Sequence, residues 1–156
     1  MYYQNKIERL KEIFKTENIV LKQDHILINS NKFNIKNDVI IINSNLNEVI
    51  KSDTINSFGS EWLEFNEITP EHHEEFKLYF DLIDIEKLKN KHLIDLGCGI
   101  GRWSKILIDK INIKSIVLLD LTESILIARE FFREYDNVIF IKDDLENINF
   151  KENAFD

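Results

Sequence analysis

Leu93-Ile94-Asp95-Leu96-Gly97-Cys98-Gly99-Ile100-Gly101-Arg102 constrains this chain more than any other stretch. A short apolar run ends in an acid, glycines follow at alternate positions, and a helix-compatible segment runs from Trp103 to Asp109. That order encodes a strand, a tight turn and a helix N-terminus, the layout with which α/β proteins hold nucleotide-like ligands. Glycine admits positive φ and lets a ligand come close where a Cβ would stand in the way. The spacing is Gly-x-Gly-x-Gly, and Arg102 stands where the dinucleotide fingerprint has its third small residue. Pyrophosphate binding is therefore disfavoured.

Downstream the pattern alternates: a helix over 102–110, a strand over Ser115–Asp120, a helix over Glu123–Glu134 and a strand over Val138–Lys142. Strands separated by helices imply parallel βαβ units with right-handed crossovers. Val117-Leu118-Leu119-Asp120 sets an acid at a strand end about twenty residues past the glycines, beside the loop in a doubly wound sheet. A carboxylate there accepts hydrogen bonds from a ribose diol; the alternative is that Asp120 only caps the next helix, a task for which Thr122 competes. Phe140-Ile141-Lys142-Asp143-Asp144-Leu145 repeats the strand-then-acid design, with a solvated acidic turn as the plainer reading.

Taken together, the residues from about Lys91 to Asp156 resemble the class I, Rossmann-like methyltransferases that use S-adenosylmethionine (SAM). The resemblance implies an α/β fold: a Rossmann-like doubly wound parallel sheet, incomplete and represented by its first three strands, preceded by a small β-rich N-terminal unit and helices. It implies SAM as cofactor, with Asp95 near the methionine amino group and Gly97, Cys98, Gly99 and Gly101 forming the loop. Asp120 would take the ribose and Leu121 an adenine face, while Asp144 and Leu145 would meet the adenine edge. The run from Ile148-Asn149-Phe150 to Phe155-Asp156 favours Asp144 over Asp143 for that role. Asp95 satisfied by the loop's own N–H groups is the alternative at that position. Cys98 reads as a small filler rather than a nucleophile, since no cationic partner is fixed by the sequence to lower its pKa. No catalytic side chain is assigned. A sulfonium carries its own leaving group, so holding the reactants in line is most of the task, and a base matters only if the acceptor must lose a proton.

Composition sets the outer bounds. At 156 residues, 44% hydrophobic and 31% charged, the chain buries a core and is no disordered tail. A net charge of −8 argues against nucleic acid as the main partner, because phosphate binding needs a basic face. No apolar run approaches the roughly 20 residues of a membrane span. Met1–Leu10 lacks the apolar stretch of a secretory signal, and a single cysteine forms no internal disulfide, so a cytoplasmic location is expected.

Three segments follow from these patterns. Residues 1–51 read as an N-terminal helix and a small β unit, 52–90 as a linker and helical cap, and 91–156 as the first half of a SAM-binding domain. Phe58-Gly59-Ser60-Glu61-Trp62 is similar to a segment that precedes the SAM domain in bacterial small-molecule and glycan-associated methyltransferases; Trp62 as plain core is the alternative. Some of those begin with a zinc-ribbon-like domain whose closing hairpin Lys32–Ile40 resembles, but the cysteine pairs are absent and no metal is expected. His72-His73-Glu74-Glu75 reads as a solvated helix start, since two ligands on one helical face do not make a metal site.

In the family sheet a fourth strand pairs with the first, and without it Leu93–Leu96 would leave an open apolar edge. The chain is accordingly expected to be truncated, or to need a complementing chain or oligomer. The leading function is methyl transfer from SAM to a small-molecule, glycan or lipid-precursor acceptor. A non-catalytic SAM- or partner-binding remnant and an NAD-binding Rossmann protein are the alternatives.

Overall fold

The computed structural model describes residues 1–42 and 67–156. Glu61, Trp62 and the expected boundary between residues 51 and 52 lie outside the described residues.

Ile7, Leu10, Ile13 and Phe14 recur at helical spacing and form one face of α1 (Ile7–Phe14), which buries Leu10 and Ile13. Lys15 ends it in the left-handed region (φ 48), its N–H donating to the Lys11 carbonyl. An antiparallel meander follows: β1 (Ile19–Leu21), β2 (His25–Ile28), β3 (Asn31–Lys36) and β4 (Val39–Ile41). Asn29-Ser30 (φ 51 and 70) and Asn37-Asp38 (φ 49 and 61) make its two-residue turns, with the paired positive φ that matches the twist of a hairpin.

α2 (Pro70–Tyr79) starts with proline at its first position and a reciprocal cap, in which the Thr69 N–H donates to His72 Nδ1 at 2.9 Å. The apolar run Phe76, Leu78, Tyr79, Phe80, Leu82 and Ile83 reads as continuing this helix to about Asp84. It ends at Tyr79, and Asp84 instead accepts from the Glu86 N–H at 3.2 Å to cap a separate 3-10 turn, Ile85–Leu88.

The remaining elements alternate: β5 (His92–Leu96), α3 (Arg102–Lys110), β6 (Ser115–Asp120), α4 (Ser124–Phe131) and β7 (Val138–Lys142). α4 is shorter than the pattern over 123–134, because the Phe132 N–H turns to the Arg129 carbonyl and tightens the last turn. β5, β6 and β7 are parallel neighbours.

Among the described residues, all the strands join one seven-stranded sheet in the order β1-β2-β3-β4-β7-β6-β5. The meander is not a separate layer: β4 runs parallel to β7, with Val39 opposite Phe140 and Ile40 opposite Ile141. Sequence reasoning put three strands in the sheet. The larger sheet arises because β4 is apolar on both faces and must be covered on both.

Alternation along each strand splits the core in two. Val39, Ile116, Leu118, Val138 and Phe140 face α3 and α4, meeting Ile106, Ile125, Ala128 and Phe132. Ile40, Val117, Leu119, Ile139 and Ile141 face the other way, against Tyr3, Leu10 and Ile13. Each fully buried aliphatic or aromatic side chain contributes about 1.5–3 kcal/mol of transfer free energy.

β5 is the sheet's edge among the described residues. Ser115 donates to the Lys91 carbonyl, and Gly97 donates to that of Leu119, so the odd-numbered positions of β5 face β6. His92, Ile94 and Leu96 then point their backbone groups outward. Asp156 bonds there, its N–H donating to the His92 carbonyl at 2.9 Å. Its side-chain Oδ2 accepts from the His92 N–H at 2.8 Å. No helix among the described residues is long and apolar enough to cross a membrane.

Candidate functional site

The glycine loop lies at the carboxyl ends of β5 and β6, strapped down by its own backbone. The Gly97 and Cys98 N–H groups both donate to the Leu119 carbonyl, at 2.8 and 3.1 Å. Gly101 N–H closes the turn on the Cys98 carbonyl at 2.8 Å, and the Gly101 carbonyl accepts from Lys105 to open α3.

Two of these glycines are needed for different reasons. Gly101 has φ +76, and a Cβ there would lie 2.9 Å from Phe132 Cε2 and 3.2 Å from Leu118 Cδ1, so it permits α3, α4 and β6 to close together. Gly97 has φ +74, but a Cβ there would meet nothing within 4 Å. The space over Gly97 is open to a ligand.

Asp120, 8% exposed, ends β6 under this loop. Its Oδ2 accepts the Gly99 N–H at 2.8 Å. Its Oδ1 accepts the Thr122 N–H at 2.8 Å and the Thr122 hydroxyl at 2.7 Å, with the Ser124 hydroxyl at 3.4 Å. Asp120 thus ties the loop to the turn before α4; both the loop contact and the turn contact are present in one carboxylate.

Asp95, the last odd-numbered residue of β5, accepts from the Ser104 hydroxyl of α3 at 2.6 Å. Burial pushes its pKa up, Ser104 opposes that, and the Asp120 carboxylate adds to the rise. Burial also pushes the Cys98 thiol up, reinforced by Asp95 and Asp120. That is the opposite of what an activated nucleophile needs.

At the end of β7 the two neighbouring acids part company. Asp143 is 3% exposed and follows Ile141 toward the α1 face; its N–H donates to the Asp120 carbonyl at 3.2 Å. Burial, and then the Asp144 carboxylate, raise the Asp143 pKa against the lowering effect of the Asp144 N–H. Asp144 is half-buried, and its Oδ1 accepts from the Glu146 N–H at 3.0 Å. Leu121 is half-buried just past β6, and Leu145 is 47% exposed just past β7. Lys142, 7% exposed, pairs with Glu123 at the start of α4, whose carboxyl it holds below the usual range.

The fold therefore brings Asp95, the loop and Asp120 into one cluster, with Asp143 and Asp144 one strand away. Sequence reasoning missed Ser104 and Ser124. Ser124 had a signal, since Asp-x-Thr-x-Ser after a strand is a side-chain-capped turn. Ser104 had none; only the fold sets it beside an acid nine positions earlier.

Residues 93–156 match a family model described as a methyltransferase domain. No curated protein matches the chain. Among solved structures, phosphoethanolamine N-methyltransferase 1 of Haemonchus contortus, in complex with phosphoethanolamine and S-adenosylhomocysteine, is 20% identical over 64% of this chain and 22% of its own, with a TM-score of 0.48. A proposed SAM-dependent methyltransferase of Methanococcus maripaludis is 17% identical over 68% and 48%, with a TM-score of 0.44. A proposed methyltransferase of Bacillus halodurans is 28% identical over 46% and 32%, with a TM-score of 0.39. The chain spans less than half of each of these structures. The stretch that matches the methyltransferase domain is the one holding the glycine loop, Asp95, Asp120 and Asp144.

Proposed function

We propose that this chain binds SAM at the glycine loop and forms part of a methyltransferase acting on a small-molecule, glycan or lipid-precursor acceptor. The observation that carries the reading is the contact of Gly99 N–H with the Asp120 carboxylate at the ends of two adjacent parallel strands. The methyltransferase-domain match over residues 93–156 supports it. The residues present suit the cofactor. The space over Gly97 admits a ligand, and Asp120 offers a fixed acceptor to a ribose hydroxyl.

When bound, SAM supplies an electrophilic methyl on a sulfonium and its own leaving group. The protein's task is to hold and orient. Asp95 takes the methionyl ammonium in this reading, and the Ser104 hydroxyl, donating to its carboxylate, supports that role by fixing it. Asp120 takes the ribose. Leu121 and Leu145 flank the adenine with Asp144 at its edge, Leu145 being an apolar side chain left 47% exposed beside the site. A further strand along the outer edge of β5, from a complementing chain or a second copy, fits the same reading.

Calorimetric titration of the full chain with S-adenosylhomocysteine and, separately, NAD tests this. Binding of the former is expected, and Asp120→Ala should weaken it by about 1.5–3 kcal/mol, the loss for hydrogen bonds to a charged group. NAD binding without S-adenosylhomocysteine binding would overturn the proposal.

A further inference from the structure

Asp120 receives two donors from one residue. Thr122 gives both its N–H and its hydroxyl to Oδ1, and the Ser124 hydroxyl bonds the Thr122 hydroxyl from behind. A carboxylate has about four lone-pair sites, two on each oxygen. Thr122 fills those of Oδ1, where the Ser124 hydroxyl makes a third, longer contact at 3.4 Å, and Gly99 N–H fills one of Oδ2. One acceptor site therefore remains, on the oxygen that faces the loop.

We infer that Thr122 is the positioning residue of the cofactor site: its hydroxyl pins Oδ1, so Asp120 presents Oδ2 to a single ribose hydroxyl. The inference rests on the SAM reading above. It predicts an unequal diol. One hydroxyl of the ribose bonds the carboxylate, and the other is held elsewhere or left to water. Without the Thr122 hydroxyl, Oδ1 keeps only the Thr122 N–H and the longer Ser124 contact, and the carboxylate turns more freely about its Cβ–Cγ bond. The ligand then meets a less ordered acceptor that no longer tells the two hydroxyls apart.

The test is calorimetric titration of the full chain, Thr122→Val and Thr122→Ser with S-adenosylhomocysteine and its 2′-deoxy and 3′-deoxy analogues. For the unmodified chain, removing one hydroxyl should weaken binding about tenfold more than removing the other, the effect of one charge-assisted hydrogen bond. Thr122→Val should bring the two analogues within about twofold of each other, and Thr122→Ser should restore the difference. A merely structural role would weaken all three ligands equally and leave the ratio unchanged. Equal analogue affinities in the unmodified chain, or a ratio unaltered in Thr122→Val, would overturn the inference while leaving SAM binding intact. Absence of S-adenosylhomocysteine binding by the unmodified chain would overturn the cofactor reading, and this inference with it. Should Thr122→Val not fold, Ser124→Ala removes the second hydroxyl alone. A reduced analogue ratio there supports the inference, and an unchanged one counts against it.

Discussion

Arg129 of α4 donates through Nε and Nη2 to one carboxylate oxygen of Asp38, at 3.0 and 2.9 Å, and so joins the β3–β4 turn to the helix after β6. The guanidinium also lies 4.4 Å from the centre of the Tyr2 ring, whose hydroxyl donates to the Val138 carbonyl at 2.8 Å. The turn of the meander and the helix between β6 and β7 thus share one fastening. Asp38→Ala leaves a guanidinium that is mostly buried without its charged partner. It should cost about 1–3 kcal/mol, the penalty for an orphaned polar group. Urea unfolding, followed by Trp fluorescence and by circular dichroism, checks both the size and the cooperativity. Two separated transitions would mean that the meander and the glycine-loop segment are not one folding unit.

The loop glycines separate packing from binding. Gly101→Ala forces a Cβ into Phe132 and Leu118 at a positive φ, and should destabilise by about 1–3 kcal/mol, as overpacked sites do. Gly97→Ala meets no atom and should cost only the smaller strain of a left-handed residue, about 1–2 kcal/mol. The new methyl would stand in the open space proposed for the cofactor. Thermal melts paired with S-adenosylhomocysteine titration should show Gly97→Ala losing more affinity than stability. An unaltered affinity would move the ligand away from Gly97.

Much of this arrangement was legible because it is local. An apolar run closed by an acid marks β5, β6 and β7, and α3 begins and ends where its pattern says. What was not legible depends on partners far along the chain. Val39-Ile40-Ile41 reads alike as an edge or an interior strand, and only pairing with β7 shows that both its faces are covered. Choosing between Asp143 and Asp144 needs the facing of β7. Period-two alternation then sends Asp143 with Ile141 toward α1. Ser104 reaches Asp95 across the loop, a pairing no helix or strand period encodes.

Asp95 gives a pH signature of known sign. Burial raises its pKa in the folded protein above the unfolded value, so between those two values the native state holds more protons than the unfolded one. Stability therefore falls as pH rises through that window and is recovered on acidification. Asp143, raised by burial and by Asp144, acts in the same sense. Glu123 acts oppositely: Lys142 lowers its pKa, so its contribution is present above the unfolded value and is lost as pH falls through the folded one. Asp95→Asn should stabilise the ligand-free chain at neutral pH and flatten its acid-side recovery. It should weaken S-adenosylhomocysteine by about tenfold, the effect of losing one charged hydrogen bond. Urea midpoints measured across the acidic range decide the first part, since parallel curves for the parent and Asp95→Asn would show that Asp95 carries no such cost.

Cys98 sits among the site's acids without being a reagent. Its residue is half-buried, and its side chain packs at the margin of the core that faces α3 and α4. The thiol lies 3.5 Å from the Gly99 carbonyl, a contact that suits a protonated sulfur donating weakly. With burial and two carboxylates opposing ionisation, little thiolate should exist at neutral pH. A disulfide reagent should therefore label Cys98 slowly in the native chain and rapidly once urea unfolds it. Cys98→Ala should keep S-adenosylhomocysteine affinity within about threefold, because a filler of the turn contributes packing and no hydrogen bond to the ligand. Fast native labelling would reveal an accessible thiolate and would reopen the case for Cys98 as a nucleophile.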